Sequence, residues 1–288
     1  NVNHHLRGEE SDSDTKFVKD FCEKKKIPCE IVDVDVKTLK VDKKLTLEES
    51  ARIARYDAFA KIMKADKLNK LFLAHHKNDQ VETILMHIFR GSGVSGASGI
   101  KQSDYVVRPL LNLDKNEILK IASEHGVKFV TDSSNADNTF SRNYVRNVVV
   151  PAIEKAYPNV VNSIFEFGKK CKEMQEFVQK NIKTEYFEEN NDYIVLKDQA
   201  FLEHSVVVHE YIKQVFEKLK IFADIEAKHY DMIFDLQKCS VNKSVDLPHQ
   251  IQAKRTYTGV KFFKKTSKKK IEKQIKNRLK YFPSKSTD

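Results

Sequence analysis

Apolar side chains recur along this chain with two periods that alternate through its first 150 residues. Between Asp12 and Lys24, Phe17, Val18, Phe21 and Cys22 keep helical spacing, and the segment ends in a basic run before Pro28. Cys29 to Val36 then alternates with period two, which predicts a strand. Thr46-Leu47-Glu48-Glu49 has the form of a capping box, and Ala51, Ala54, Ala58 and Ile62 follow it at helical spacing. Leu71-Phe72-Leu73-Ala74 is a short all-apolar run suited to a buried parallel strand, and Asp79 to Arg90 predicts the helix after it. The rhythm repeats with Tyr105-Val106-Val107, a helix from Asp114 to His125 stopped by Gly126, and a strand from Val127 to Thr131. Strand and helix in alternation predict an α/β fold, a doubly wound parallel sheet covered on both faces. Ligands in such folds sit at the carboxyl ends of strands.

After Pro151 the pattern changes. Val160 to Tyr186 predicts a long helical stretch, Tyr193 to Leu196 a short strand, and Val206 to Leu219 and Glu226 to Gln237 two further helices. Residues 241–264 alternate like a hairpin, with Val245, Leu247, Ile251 and Val260 apolar. Pro151 and Pro158 bracket the expected boundary, giving an α/β domain over 1–150 and a mainly helical region over 151–288.

Charge alters this picture in one place. Residues 261–288 hold eleven basic side chains, Lys264 and Lys265 among them, against Glu272 and Asp288, so nearly all of the net charge of +10 lies there. A polyanion would meet that tail first; a solvated tail without a partner is the ordinary alternative. Cys22, Cys29, Cys171 and Cys239 are too widely spaced for paired zinc ligands, and a chain of this size folds without disulfides, so a reducing, cytoplasmic location is expected. No apolar run approaches the roughly 20 residues that span a bilayer. The opening Asn1-Val2-Asn3-His4-His5 has no initiator Met and no leader pattern, and is expected to be an internal start.

The segment Ala74-His75-His76-Lys77-Asn78-Asp79-Gln80-Val81-Glu82-Thr83 carries the most chemistry. It sets two imidazoles at a strand's end and two carboxylates, i and i+3, on one face of the next helix. Such carboxylates can hold Mg²⁺ or polarise an amine, and such a histidine can contact phosphate or carry a proton. An N-capping Asp followed by a Glu favoured by the helix dipole is the plainer reading. Four of the chain's eight glycines fall within residues 91–99, just after Arg90, and predict a loop that approaches a ligand closely or moves. Arg108 follows the next strand. Arg142 and Arg146 are i and i+4 and suit a phosphate, with ion pairs to Asp132 or Asp137 as the structural alternative.

Seven blocks in order resemble the tRNA(Ile)-lysidine synthetase family, within the PP-loop ATP pyrophosphatases. They are Val2 to Asp12, Glu49 to Tyr56, His75 to Thr83, Arg90-Gly91-Ser92-Gly93, Arg108-Pro109-Leu110-Leu111, Asp132-Ser133-Ser134-Asn135 and Ser141-Arg142-Asn143. Residues 152–288 resemble the family only loosely, mainly at Lys243 to Pro248. The resemblance implies a ligase that adenylates C2 of the wobble cytidine of tRNA(Ile) with a CAU anticodon, using ATP and Mg²⁺, and lets free L-lysine displace AMP. It implies that His75, His76, Asp79 and Glu82 line the adenylation centre, with Asp79 as a ligand of Mg²⁺–ATP and Glu82 near the incoming amine. Arg90 and Arg108 would hold the cytidine or a phosphate, and Arg142 and Arg146 the tRNA backbone; from charge alone, Lys264 and Lys265 of the basic tail are further candidates for nucleic acid. A homodimer is left open. The family's Ser-Gly-Gly-x-Asp-Ser loop does not occur in these 288 residues; it is expected upstream of Val2, and this chain as it stands is expected to turn over little ATP. A tRNA thiolase of the same superfamily and a non-catalytic RNA-binding protein are the competing readings.

Overall fold

The computed structural model describes residues 1–36, 46–101, 103–221 and 224–265. The chain divides into two compact units, Asn1–Lys172 and Glu173–Asp288.

In the N-terminal unit, strands and helices alternate as the pattern predicts. The order is β1 (Val2–Asn3), α1 (Glu9–Lys25), β2 (Val32–Asp33), α2 (Leu47–Ala65), β3 (Leu71–Phe72), α3 (Lys77–Phe89), β4 (Val106–Val107) and α4 (Lys115–Glu124). Strand β1 lies parallel to β2 and β3 parallel to β4, so the described sheet consists of two short parallel pairs. Both sequence-level helix starts hold. Thr46 Oγ1 accepts from the Glu49 amide at 3.2 Å and the Glu49 carboxylate accepts from the Thr46 amide at 2.9 Å. Asp114 and Glu117 do the same for α4, at 2.9 and 2.7 Å. Val127 to Thr131 forms no strand: the chain there is unpaired, with Val127, Phe129 and Val130 exposed. Its apolar alternation has the composition of a strand, but alternation alone does not pair it with a neighbour.

Helix α5 (Ser141–Tyr144) continues through a π-helical stretch, Val145–Val149, into α6 (Val150–Ala156). Pro151 supplies the cause. It has no N–H for the carbonyl of Asn147, and its ring would press on that carbonyl in an α-helix, so the turn before it widens. Val145 and Val150 join Val81 and Leu85 of α3 in a small apolar cluster completed by Val161 and Phe165 of α7 (Val160–Lys180). A Cβ on Gly168 would stand 2.4 Å from Ile84 Cδ1, so glycine is what lets α7 approach α3. This packing explains why the first compact unit reaches Lys172, beyond the boundary expected near 151–158.

The C-terminal unit joins its helices, α8 (Ser205–Lys218) and α9 (Ala227–Lys238), to a five-stranded antiparallel sheet. The strands are β5 (Phe187–Asn190), β6 (Tyr193–Lys197), β7 (Ser244–Leu247), β8 (Ile251–Arg255) and β9 (Gly259–Lys264), in the order β5-β6-β9-β8-β7. Leu196, Val208, Tyr211, Ile212, Val215, Ile233, Val260 and Phe262 form its core. Residues 266–288, which carry most of the basic tail, lie outside the described residues.

Candidate active site

The site grows from the first turn of α3. His76, in extended conformation, caps the helix: its amide donates to Asp79 Oδ2 at 2.9 Å, and its ring Nε2 stands 3.4 Å from the same oxygen. That fixes Asp79, and Glu82 follows on the same face. Arg142 and Arg146, one turn apart on α5 and the π-helical stretch, reach this face together. Arg142 donates from Nε to Glu82 Oε2 at 2.8 Å and from a terminal nitrogen to Asp79 Oδ1 at 3.1 Å. Arg146 donates from Nε to Glu82 Oε1 at 2.7 Å, from a terminal nitrogen to Glu82 Oε2 at 3.0 Å, and to Asp79 Oδ1 at 3.1 Å. The carboxylate partners of the two arginines are therefore Asp79 and Glu82, rather than the Asp132 or Asp137 weighed from sequence.

Glu82 is only 2% exposed, and a carboxylate so deep would be costly without these three charge-assisted bonds. Burial works against the Arg146 charge, but the hydrogen bond and charge of Glu82, then the charge of Asp79, outweigh it and raise its pKa. A third tier supports the arginines. Arg146 also donates to Asn135 Oδ1 at 3.1 Å, and the segment holding Asn135 is tied to α1, where Ser133 Oγ donates to Glu10 Oε2 at 2.7 Å. Arg7 adds ion pairs to Asp14 at 2.8 Å and Asp132 at 3.3 Å.

His75 lies at the edge of this cluster, where Arg108 Nε donates to its Nδ1 at 3.4 Å. Burial, followed by the charges of Arg108, Arg142 and Arg52, outweighs the opposing pull of Asp79 and holds the imidazole below its ordinary pKa. It is therefore neutral at pH 7 and able to accept that bond. Beyond the carboxyl end of β1 opens a cavity of about 610 Å³, lined by Asn3, His4, Arg55, Asp132, Asn135 and Arg142 among others. Burial and the neighbouring Arg55 lower the His4 pKa, and His4 Nδ1 is buried with no hydrogen-bond partner. Burial, then the charges of Arg52 and Arg142, lower the pKa of Arg55 in turn. Arg55 and Arg142 bring guanidinium donors to a concave space whose lining also includes Asp14 and Asp132.

His4 and Arg55 were not singled out from the sequence, although both lie in blocks that carry the family resemblance. The signal was the pairing of one block's arginine with another block's histidine, which only the fold makes visible. The structure does not bring Arg90 to the cluster: it follows Asp79 by eleven residues, roughly 16 Å along the helix axis. It lines a separate cavity of about 490 Å³ with Phe89, Tyr144 and Asn138. Lys264 and Lys265 lie at the end of β9 in the C-terminal unit, where Lys265 pairs with Asp246 at 2.6 Å. Of the glycines after Arg90, Gly91 and Gly93 face open space, whereas Gly99 closes against α3: it has φ +82°, and a Cβ there would meet the Gln80 amide, which accepts from the Ile100 N–H and donates to the Ser98 carbonyl. Among the described residues no group of three or more His, Cys, Asp or Glu side chains could hold a metal, and no helix is long and apolar enough to cross a membrane.

A family profile described as a PP-loop domain matches residues 1–153, more than half of the chain, and the chain belongs to that family. Within it the similarity runs to tRNA(Ile)-lysidine synthases. That of Clostridium tetani is 31% identical over 96% of this chain and 61% of its own length, and that of Clostridium acetobutylicum 30% identical over 90% and 58%. The bifunctional protein TilS/HprT of Listeria innocua is 32% identical over 91% of this chain and 42% of its own. The chain thus spans about 60% or less of the length of these relatives. A solved structure, the U34-tRNA thiolase NcsA of Methanococcus maripaludis with its [4Fe-4S] cluster, matches at 16% identity and a TM-score of 0.49, over 63% of this chain and 62% of that one.

Proposed function

We propose that this chain forms the adenylation and RNA-recognition part of a tRNA(Ile)-lysidine synthase, joining L-lysine to the wobble cytidine of tRNA(Ile) at the expense of ATP. The observation that carries this reading is the double role of Arg142. It lines the cavity beyond β1 and also holds Glu82 Oε2, so it links an anion site to a buried carboxylate. The names of the relatives supply the chemistry that such a link would serve.

The cavity fits a triphosphate by size and charge. Its orphaned His4 Nδ1 and crowded Arg55 and Arg142 are donors placed for anionic oxygens. Bound ATP would supply the activating adenylyl group. Asp79 has both oxygens engaged by His76, Arg142 and Arg146, so it offers no open position to a magnesium ion. An ion arriving with ATP would be held by the phosphates and water.

An attacking amine must be neutral, so a base has to take its proton. Glu82 Oε2 accepts from both Arg142 and Arg146. When Arg142 turns to a phosphate oxygen, Glu82 Oε2 keeps one donor and has a position open to accept from the incoming amine. In this reading His75 and Arg108 flank the base to be modified, Arg90 contacts RNA in its own cavity, and Lys264 and the basic tail add phosphate contacts. The test is lysine incorporation into tRNA(Ile) transcripts by the full gene product. We expect ATP-dependent incorporation into the CAU transcript and none when U replaces the wobble C. Equal labelling of both transcripts, or of neither, contradicts the reading.

A further inference from the structure

The face of α3 that carries the carboxylates continues past them. Met86 follows Glu82 by four residues, and Phe89 and Arg90 by seven and eight, so these side chains fall on one side of the helix, against which α5 and the π-helical stretch pack. At the far end of that seam opens the cavity of about 490 Å³ that Arg90 lines, over a floor of Met86, Val145 and Val149. Its lining lies wholly within the N-terminal unit. Roughly 12 Å of helix separates Glu82 from Arg90. One base cannot reach both places, but two parts of one extended ligand can occupy them together.

The walls of this cavity combine exposed rings with a free cation. Phe89 is 60% exposed and Tyr144 50%, and among the described residues neither ring stacks on another aromatic side chain or holds a cation. The Arg90 guanidinium beside them makes no hydrogen bond or ion pair there. Its charge is felt by Glu49 of the α2 capping box, but that carboxylate is already held by the amide and hydroxyl of Thr46. No Asp or Glu lines the space. Asn138 Oδ1 accepts from Asn147 Nδ2 at 2.9 Å, which leaves the Asn138 amide nitrogen to donate. A matching ligand presents a flat face to the rings and negative charge to Arg90. An acidic peptide supplies the charge without the plane, whereas a nucleotide supplies both, and aromatic faces beside a guanidinium are how proteins hold unpaired nucleotides. The volume falls within the range of ligand pockets, roughly 300–1,000 Å³.

We propose that this cavity holds an unpaired nucleotide of the tRNA other than the wobble cytidine, its base stacked on Phe89 and Tyr144 and its phosphate on Arg90. The inference rests on the reading of this chain as tRNA-modifying. It gives α3 two contacts with one RNA loop: the carboxylates near its start meet the base that reacts, and its last turn meets a second base. Stacking tolerates any base, so this contact reads position rather than sequence. A second base held out of the stack fixes the register of the loop, and a slip by one nucleotide would then cost the stacking contact as well as the alignment at Glu82.

Photocrosslinking and affinity measurements on the 288-residue chain test it, using tRNA(Ile) transcripts with 4-thiouridine at one anticodon-loop position at a time. Irradiation should link a position other than the wobble to the peptide holding Phe89 or to that holding Tyr144. Phe89→Leu, Tyr144→Leu and Arg90→Met should each weaken tRNA binding by about tenfold; all three side chains are exposed, and melting curves check that the variants fold. If the wild-type chain binds the tRNA and either no link falls on these peptides or no substitution weakens binding, the cavity assignment is overturned and the tRNA reading stands. Uridine 5′-monophosphate bound as tightly as the tRNA would make this a site for free nucleotides and also overturn the assignment. If the wild-type chain binds the tRNA no better than a plain RNA duplex of equal length, the tRNA reading fails and the cavity assignment falls with it.

Discussion

The C-terminal unit is organised around apolar side chains: Leu196, Val208, Ile212, Val215, Ile233, Val260 and Phe262 are essentially inaccessible to water and touch one another across helix and sheet. Among the described residues the larger N-terminal unit gathers Val81, Leu85, Val145, Val150, Val161 and Phe165 into a smaller cluster, with Val36, Ile84 and Val106 also buried, and it buries Asn3, Ser11, Ser50, Asp79, Gln80 and Glu82 besides. The difference shows where each unit places its stabilising contacts. One is built round a single large apolar cluster; the other adds to its smaller cluster a set of ion pairs from Arg142 and Arg146 that converge on Glu82. A buried ion pair adds little net stability compared with an apolar core, yet losing one partner is severe. The N-terminal unit has accepted that sensitivity at the place where the chemistry is proposed.

The comparison can be broken by removing each unit's central contact. Replacing Arg142 and Arg146 together by Met leaves Glu82 buried without a cation and should destabilise the N-terminal unit by about 3–5 kcal/mol. Phe262→Ala should cost the C-terminal unit a similar amount, about 3–5 kcal/mol, through the cavity it leaves. Hydrogen exchange followed by mass spectrometry separates the two. Exchange should accelerate in α3 and α5 for the first variant and in β6, β8 and β9 for the second. Unchanged protection of α3 in the double arginine variant would show that the network is an ornament on an apolar core.

A smaller effect comes from pH. His4 and His75 are both held below the ordinary histidine value of 6.5, chiefly by burial, so the folded unit takes up protons less readily than the unfolded chain. Their contribution is complete above about pH 6.5 and is lost as pH falls from there toward the folded values. The urea midpoint of the N-terminal unit should therefore drop between pH 7.5 and pH 5.5, and the double replacement His4→Asn, His75→Asn should flatten that slope. A midpoint that rises on acidification would contradict the assignment.

Much of this arrangement is legible in the sequence, because much of it is local. Both capping boxes, the alternation of strand and helix, the shared face of Asp79 and Glu82 and the shared face of Arg142 and Arg146 follow from spacings of three or four residues. That the two faces meet is a contact between residues about 60 positions apart, and nothing in either segment announces it. The π-helical stretch was readable in principle from Pro151 inside a helical pattern, but its consequence for α6 depends on which side of the helix is packed. Val127 to Thr131 misled for the opposite reason: its alternation is local, whereas pairing requires an available neighbour. The resemblance implies that Arg90 holds the cytidine or a phosphate, and about three turns of helix place it in a cavity apart from the carboxylates. His4 and Arg55 were passed over because their electrostatic role arises only from their proximity in the fold.

The account stands on Glu82 being a working carboxylate and not only the anchor of an ion-pair network. Glu82→Gln keeps the shape and some of the hydrogen bonds while removing the charge, so it addresses that claim directly. In the full gene product it should reduce lysine incorporation into the CAU transcript by about 100-fold or more while leaving affinity for the tRNA within about twofold. Incorporation at the wild-type rate in a folded Glu82→Gln enzyme would contradict the account.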